Sequence, residues 1–206
     1  MILEKVQFGG SSEEHQMGTG IGQRCPVRAG RKGALILVGV AVILLSISSY
    51  IEIPMVPVPI TAQTFMVLTV GAVLGPLLGT IGTVIWLLCG AVGLPVLAGG
   101  ASGLGHFMGP TAGFLFAFPI AALTAGVLVS KRQGAGVAYR AWWVFLAGIA
   151  GHIICLGLGV LWLSTLIGIG AALENGFFPF ILGGILKSTA VAAVVIGIEL
   201  QSGKTS

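Results

Sequence analysis

One lysine interrupts the last apolar segment of the chain. Lys187 lies within FFPFILGGILKSTAVAAVVIGIEL, residues 177–200, eight positions after Pro179. In a helix that spacing is roughly 12 Å, which is a long distance for a lysine to reach back to the surface of a membrane. An unpaired ammonium group in hydrocarbon costs about 2.5 kcal/mol or more. We therefore predict that Lys187 points into a wet cavity and pairs with an anionic group; the alternative is that it extends to the membrane surface.

Few acidic side chains could be that partner. The chain has no aspartate, and its six acidic residues are Glu4, Glu13, Glu14, Glu52, Glu174 and Glu199. Glu199 follows on the same segment, about 18 Å from Lys187 if the segment is helical. Glu52 and Glu174 could reach the lysine only if their loops fold inward. A bound ligand with a small carboxylate is the remaining candidate.

The composition indicates an all-α integral membrane protein. Of the 206 residues, 56% are hydrophobic and 8% are charged, a balance that no soluble domain needs. The 34 glycines favour helices that pack closely in lipid. The net charge of +4 comes from basic residues at the ends of apolar runs, so we interpret it as a signal of membrane topology and not of nucleic-acid binding.

The apolar runs predict a bundle of six transmembrane helices. They lie at about 34–51, 62–75, 78–93, 111–130, 142–168 and 177–199. This divides the chain into a cytoplasmic, mobile N-terminal tail (1–32), a membrane domain (33–200) and a cytoplasmic C-terminal tail (201–206). A basic stretch before the first run also fits a cleaved signal peptide, but that run is nearly long enough to span a bilayer.

Lysine and arginine are distributed asymmetrically between the loops. The segments assigned to the inside contain Arg24, Arg28, Arg31, Lys32, Lys131, Arg132, Arg140 and Lys204. The loops assigned to the outside, near 52–61, 94–110 and 169–176, contain neither residue type. This asymmetry predicts a multi-pass protein of the cell membrane with both termini in the cytoplasm.

Two of the outer segments are unusual. IEIPMVPVPITAQT contains three closely spaced prolines, which favour an extended path. GLPVLAGGASGLGHFMGPTAG, residues 93–113, is a glycine-rich apolar loop. Because irregular backbone at membrane depth is tolerated where it lines a cavity, we predict that both segments cover one; the alternative is that they are flexible surface loops.

Several side chains near these segments could contact a ligand. Gln63 can donate and accept hydrogen bonds, whereas a helix-capping role is equally compatible with Gln63, Thr61 and Thr111. The apolar wall of a pocket could include Phe65, Phe107, Met108 and Phe114. Packing in the protein core is the alternative for each of these four.

An enzyme is the competing class of function. GASG, residues 100–103, matches the GxSG pattern of rhomboid-type intramembrane proteases, with His152 as a base for Ser102. A metal pair of His106 and His152 has no suitably spaced carboxylate or thiolate to complete it. We therefore predict no catalytic residue, metal or cofactor. The phosphate-binding pattern GxxxxGK[ST] does not occur, so active uptake by this chain would need partner subunits.

Three motifs together resemble the BioY family, the biotin-binding substrate (S) components of energy-coupling factor (ECF) transporters. They are VPVPITAQT, GLPVLAGG and GPTAGFL, followed downstream by ENGFFPFILGGILK, and the resemblance covers roughly residues 50–190. It implies a six-helix protein that holds biotin near the outer face and works with a transmembrane coupling subunit and two cytosolic ATPases. It implies binding positions at Gln63, Gly103, Thr111, Phe114 and Lys187, with Thr61, His106 and Gly184 beside them. An S component for another small vitamin or carboxylate is the alternative within transport.

The chain departs from that family at several positions. Gly184 stands where the family usually has aspartate, and Phe114 and Trp86 stand where tyrosine is common. The pattern of small residues by which the first helix docks on the coupling subunit is incomplete around Gly39 and Ala41. Ligand affinity and docking are therefore less securely implied than the fold.

The glycine at position 184 generates a prediction. An aspartate there would share a helix face with Lys187, so the two charges would partly neutralise each other and the acid would accept hydrogen bonds from the ureido N–H groups of biotin. We expect Gly184→Asp to tighten biotin binding in a titration of the purified protein. Unchanged or weaker affinity would count against this interpretation.

Overall fold

The computed structural model describes residues 31–131 and 136–202, and these residues form an all-helical protein. The elements are α1 (Arg31–Ser49), β1 (Glu52–Ile53), β2 (Ile60–Thr61), α2 (Gln63–Ala91), α3 (Ala112–Ser130), α4 (Val137–Ile167), α5 (Ile169–Gly176) and α6 (Phe178–Gln201). Within this part of the chain, five segments are long and apolar enough to cross a membrane: α1, α2, α3, α4, and α5 together with α6. The first helix begins two residues inside the predicted N-terminal tail; residues 1–30 and 203–206 lie outside the described ranges.

The second helix reverses direction in its middle. Gly75 has φ 82° and ψ 176°, a conformation that glycine tolerates, and Pro76 begins the second half. A Cβ atom added to Gly79 would lie 2.7 Å from the Cα atom of Gly71, although eight residues along a straight helix span about 12 Å. The two halves of α2 therefore pack against each other, and they correspond to the segments predicted at 62–75 and 78–93.

Small residues bring α2 and α3 into backbone contact. A Cβ atom at Gly71 would collide with the Ala122 carbonyl group, and one at Gly126 would lie 2.5 Å from the Pro76 nitrogen. Van der Waals packing of this kind associates helices in lipid, where apolar burial contributes little. This close packing fixes the position of α2 relative to α3.

The segments at one end of the bundle are irregular but anchored. β1 and β2 form a short antiparallel hairpin in which Glu52 faces Thr61, consistent with the predicted extended path. Residues 94–111 contain two single turns of 3-10 helix. Tyr50 donates a hydrogen bond to the Pro95 carbonyl, and Trp86 donates one to the Val96 carbonyl. The prediction of an irregular loop at 169–176 is wrong, because these residues form the helix α5.

At the other end of the bundle, Arg140 forms a buried ion pair that the sequence did not reveal. Because α4 begins at Val137, Arg140 belongs to this helix and not to a solvated loop, and it is 1% exposed. Its Nη2 atom lies 2.6 Å from Glu199 Oε1 on α6, and its Nη1 atom donates to the Val129 carbonyl on α3. The guanidinium group thus connects α3, α4 and α6.

We expect Glu199→Gln to destabilise the protein, because it removes the carboxylate that pairs with the buried Arg140 charge. Breaking such a pair costs about 3–5 kcal/mol, whereas replacing both partners by apolar residues is often neutral. The measurement is the Tm of the purified protein in detergent. The matched control is Arg140→Met combined with Glu199→Leu, which should be more stable than Glu199→Gln; the opposite order would contradict this account.

Candidate ligand-binding site

A cavity of about 560 Å³ lies beneath the hairpin and the 94–111 segment. This volume is within the roughly 300–1,000 Å³ typical of small-molecule sites. Helices α2, α3, α4 and α6 form the rest of the wall. The lining includes Glu52, Thr61, Gln63, His106, Thr111, Phe114, His152, Phe180, Gly184 and Lys187. Most other lining residues are apolar, so the few polar groups determine what the cavity can recognise.

Lys187 is half-buried on α6 and places its ammonium group at this cavity. Its Nζ atom donates a 2.6 Å hydrogen bond to the Thr61 carbonyl at the end of the hairpin. Among the described residues the salt bridge is that of Arg140 and Glu199, so no carboxylate there pairs with Lys187. An ammonium group has three donors, and it can therefore bind an anion that enters the cavity.

Gln63 and Thr61 connect the hairpin to the first helix. Gln63 Nε2 donates to Ser49 Oγ over 2.9 Å, and Gln63 Oε1 accepts from Thr61 Oγ1 over 3.1 Å. Both side chains are buried and line the cavity. Since protein groups already take part of the hydrogen-bonding capacity of Gln63, its evident role is to hold the wall, and direct contact with a ligand stays a prediction.

The structure brings together all but one of the predicted site residues. Those on the cavity wall are Gln63, Thr111, Phe114, Lys187, Thr61, His106 and Gly184. Gly103 is not among the lining residues; it has φ 92°, and its N–H donates to the Gly90 carbonyl. Its place is in the fold of the loop, where the positive φ favours glycine.

The four residues proposed for the apolar pocket wall separate into one that lines the cavity and three that do not. Phe114 lines the cavity and stacks on Phe180 with ring centroids 6.0 Å apart. Phe65 and Phe107 pack against the hydrophobic core, and Met108 is 75% exposed. Phe65 and Phe114 lie in helices, whereas Phe107 and Met108 lie in the 94–111 segment, so no single periodicity in the sequence could separate the two groups.

His152, on α4, also lines the cavity, in a role that sequence reasoning missed. Its Nδ1 atom lies 3.0 Å from the Gly148 carbonyl oxygen and 3.1 Å from Ser188 Oγ. These contacts are not those of a base for Ser102, which would need His152 to bond the serine hydroxyl. Among the described residues, no group bonds its buried Nε2 atom. The sequence signal that could have revealed this role is a polar residue inside an apolar run.

Comparisons with known proteins agree with this architecture. Residues 23–203 match the BioY family. The probable biotin transporter BioY of Pyrococcus horikoshii is 38% identical over 165 residues, which are 80% of this chain and 94% of the relative. The biotin transporter BioY of Thermotoga maritima is 35% identical over 168 residues, 81% of this chain and 95% of the relative.

A solved structure shares the fold. It is the S-component for biotin from an ECF-type ABC transporter, with a TM-score of 0.71 and 25% identity, covering 87% of this chain and 100% of that one. The family match extends over most of the 206 residues and is consistent with the relatives and with the shared fold. This chain therefore belongs to the BioY family.

Proposed function

We propose that this protein captures biotin at the outer face of the cell membrane and delivers it inward. The observation that carries this proposal is the half-buried Lys187, which lines the cavity and forms no salt bridge with Glu52 on the same wall or with any other described carboxylate. Relatives of this chain are named biotin transporters, and its structural neighbour is an S-component for biotin. Biotin has a carboxylate for an ammonium group and an apolar body for an aromatic wall.

In this proposal, Lys187 binds the carboxylate of biotin, and the cavity wall contacts the remainder of the molecule. A charge-assisted hydrogen bond to a carboxylate is roughly twice as strong as a neutral one, and it gains further strength where water is excluded. Phe114 and Phe180 provide apolar surface for the valeryl chain and the sulfur-containing ring. Gln63 and Thr111 supply polar contacts to the ligand, and Thr61, His106 and Gly184 lie beside them. Gly103 contributes by shaping the 94–111 segment.

The hairpin and the 94–111 segment form the cover of this site. The Lys187 bond to the Thr61 carbonyl ties the hairpin to α6, and the Tyr50 bond to the Pro95 carbonyl ties the second segment to the end of α1. A ligand that bonds to the Lys187 ammonium group would compete directly with the Lys187 bond to the Thr61 carbonyl.

Transport in this proposal requires partners. A transmembrane coupling subunit and two cytosolic ATPases of an ECF module would supply the energy, since the sequence has no GxxxxGK[ST] loop of its own. The protein acts as a carrier component without a cofactor and without catalysis. Another small vitamin or carboxylate is the alternative ligand, and the Ser102 hydrolase has no specific observation in its favour.

We also propose six spans with both termini in the cytoplasm. The reversal at Gly75 divides α2 into two halves that pack side by side, so this helix crosses as two short spans. With α1, α3, α4 and α6 the number of spans is even. The distribution of lysine and arginine favours a cytoplasmic position for both ends.

Lys187→Met should abolish biotin capture, because the carboxylate would lose its counter-charge in a desolvated site. Loss of one partner of such a pair costs about 2–5 kcal/mol, or at least about thirty-fold in affinity. The measurements are titration of the purified protein with biotin and uptake of labelled biotin by cells that lack their own importer. Lys131→Met is the matched control, since Lys131 is exposed at the end of α3. Ser102→Ala should also leave binding intact; absence of biotin binding by the unaltered chain would refute the proposal.

Reporter fusions test the topology. Green fluorescent protein attached after Ser206 should fluoresce, because it folds in the cytoplasm, whereas alkaline phosphatase inserted at the exposed Met108 should be active outside. The reversed pattern would place the cavity on the inner side. A fluorescent C-terminal fusion together with an inactive phosphatase insertion would contradict the position proposed for the 94–111 segment.

A further inference from the structure

We infer that His152 is a specificity-determining residue whose Nε2 atom accepts a hydrogen bond from an N–H group of the ligand, on the ring edge beside Gly184. The inference rests on the proposed function, because it assigns to His152 one of the ureido N–H groups of biotin. It concerns the polar ring of the ligand, whereas the proposed role of Lys187 concerns the carboxylate.

The contacts of the imidazole determine which nitrogen can accept. The Gly148 carbonyl, 3.0 Å from Nδ1, can only accept a hydrogen bond, so the neighbouring Nδ1 atom must carry the proton. Ser188 Oγ donates its own proton to the Gly184 carbonyl over 2.8 Å and is left to accept from Nδ1. In the neutral ring, the proton on Nδ1 leaves Nε2 with a free lone pair.

That lone pair has no partner in the described part of the chain. His152 is 7% exposed, and its Nε2 atom is the buried side-chain nitrogen or oxygen there that makes no hydrogen bond. Buried polar groups are otherwise almost always satisfied. Because His152 also lines the cavity, a ligand bound there can supply the missing donor.

Gly184 leaves room for this contact. A Cβ atom at position 184 would lie 3.3 Å from His152 Cδ2, the carbon bonded to Nε2. Any side chain larger than glycine would therefore stand against this edge of the ring. The glycine at position 184 places no side chain against this edge of the imidazole.

Two other acceptors on this wall are already engaged. The Thr61 carbonyl accepts from Lys187, and Gln63 Oε1 accepts from Thr61. The Nε2 atom of His152 is a buried acceptor on this wall that stays free for a ligand N–H group, and the half-buried Glu52 and Thr111 are further acceptors there. The chemistry selects a ligand that combines an anionic end with a neutral N–H donor, as biotin does, over a carboxylate with a purely apolar body.

Two substitutions of His152 test the roles of its two ring nitrogens separately. His152→Asn keeps a donor near the Nδ1 position for Gly148 and removes the acceptor, whereas His152→Gln keeps an acceptor near the Nε2 position and removes that donor. In titrations of the full-length purified protein, we expect His152→Asn to bind biotin about ten-fold to a hundred-fold more weakly, because the ligand N–H would be buried without a partner. We expect His152→Gln to stay within a few-fold of the unaltered chain.

A purely structural role would give the opposite order, with His152→Gln the weaker binder, and equal affinity for both variants would also overturn the inference. Adding Gly184→Asp to His152→Asn should recover affinity, since the carboxylate restores an acceptor beside the ligand; no recovery would count against the assignment. The Tm of each ligand-free variant should match that of the unaltered chain. If the unaltered chain fails to bind biotin, the proposed function fails; if it binds and His152→Asn binds equally well, the inference alone fails.

Discussion

The hydrogen bond from the Lys187 ammonium group to the Thr61 carbonyl connects residues 126 positions apart. Lipid offers a charged group no solvation, so an ammonium at membrane depth must find acceptors within the protein or in a cavity. Thr61 supplies one acceptor and draws the hairpin down onto α6. Thr61 also bonds Gln63, and Gln63 bonds Ser49, so the same chain of contacts reaches the end of α1. The position of the cover over the cavity depends on this network.

The two ends of the bundle satisfy their buried charges in different ways. At one end, Arg140 and Glu199 neutralise each other and the Val129 carbonyl takes a further donor, so the cluster is complete within the protein. At the other end, Lys187 has one protein acceptor and a cavity. A complete cluster stabilises the helix packing, whereas an incomplete one leaves interaction energy for a ligand. The two cations therefore differ in how far the protein itself satisfies their hydrogen-bonding capacity.

Close backbone packing makes the incomplete cluster possible. Gly71 and Gly126 allow α2 and α3 to touch, and Gly79 allows the two halves of α2 to touch. These contacts hold the helices without help from the polar residues at the cavity. In the proposed function, His152 and Lys187 use their remaining hydrogen-bonding capacity for a ligand.

The sequence by itself determined the apolar segments, the positions of the prolines and glycines, and the absence of any aspartate that could pair with Lys187. These are local properties, and each follows from residue type and spacing. The motifs also identified most of the cavity residues. Only the tertiary structure showed that the two halves of α2 pack against each other across the reversal at Gly75 and that residues 169–176 form a helix. It also showed that Arg140 pairs with Glu199, 59 residues away. It alone placed the His152 ring edge beside Gly184, because contacts between different helices leave no periodic signal along the chain.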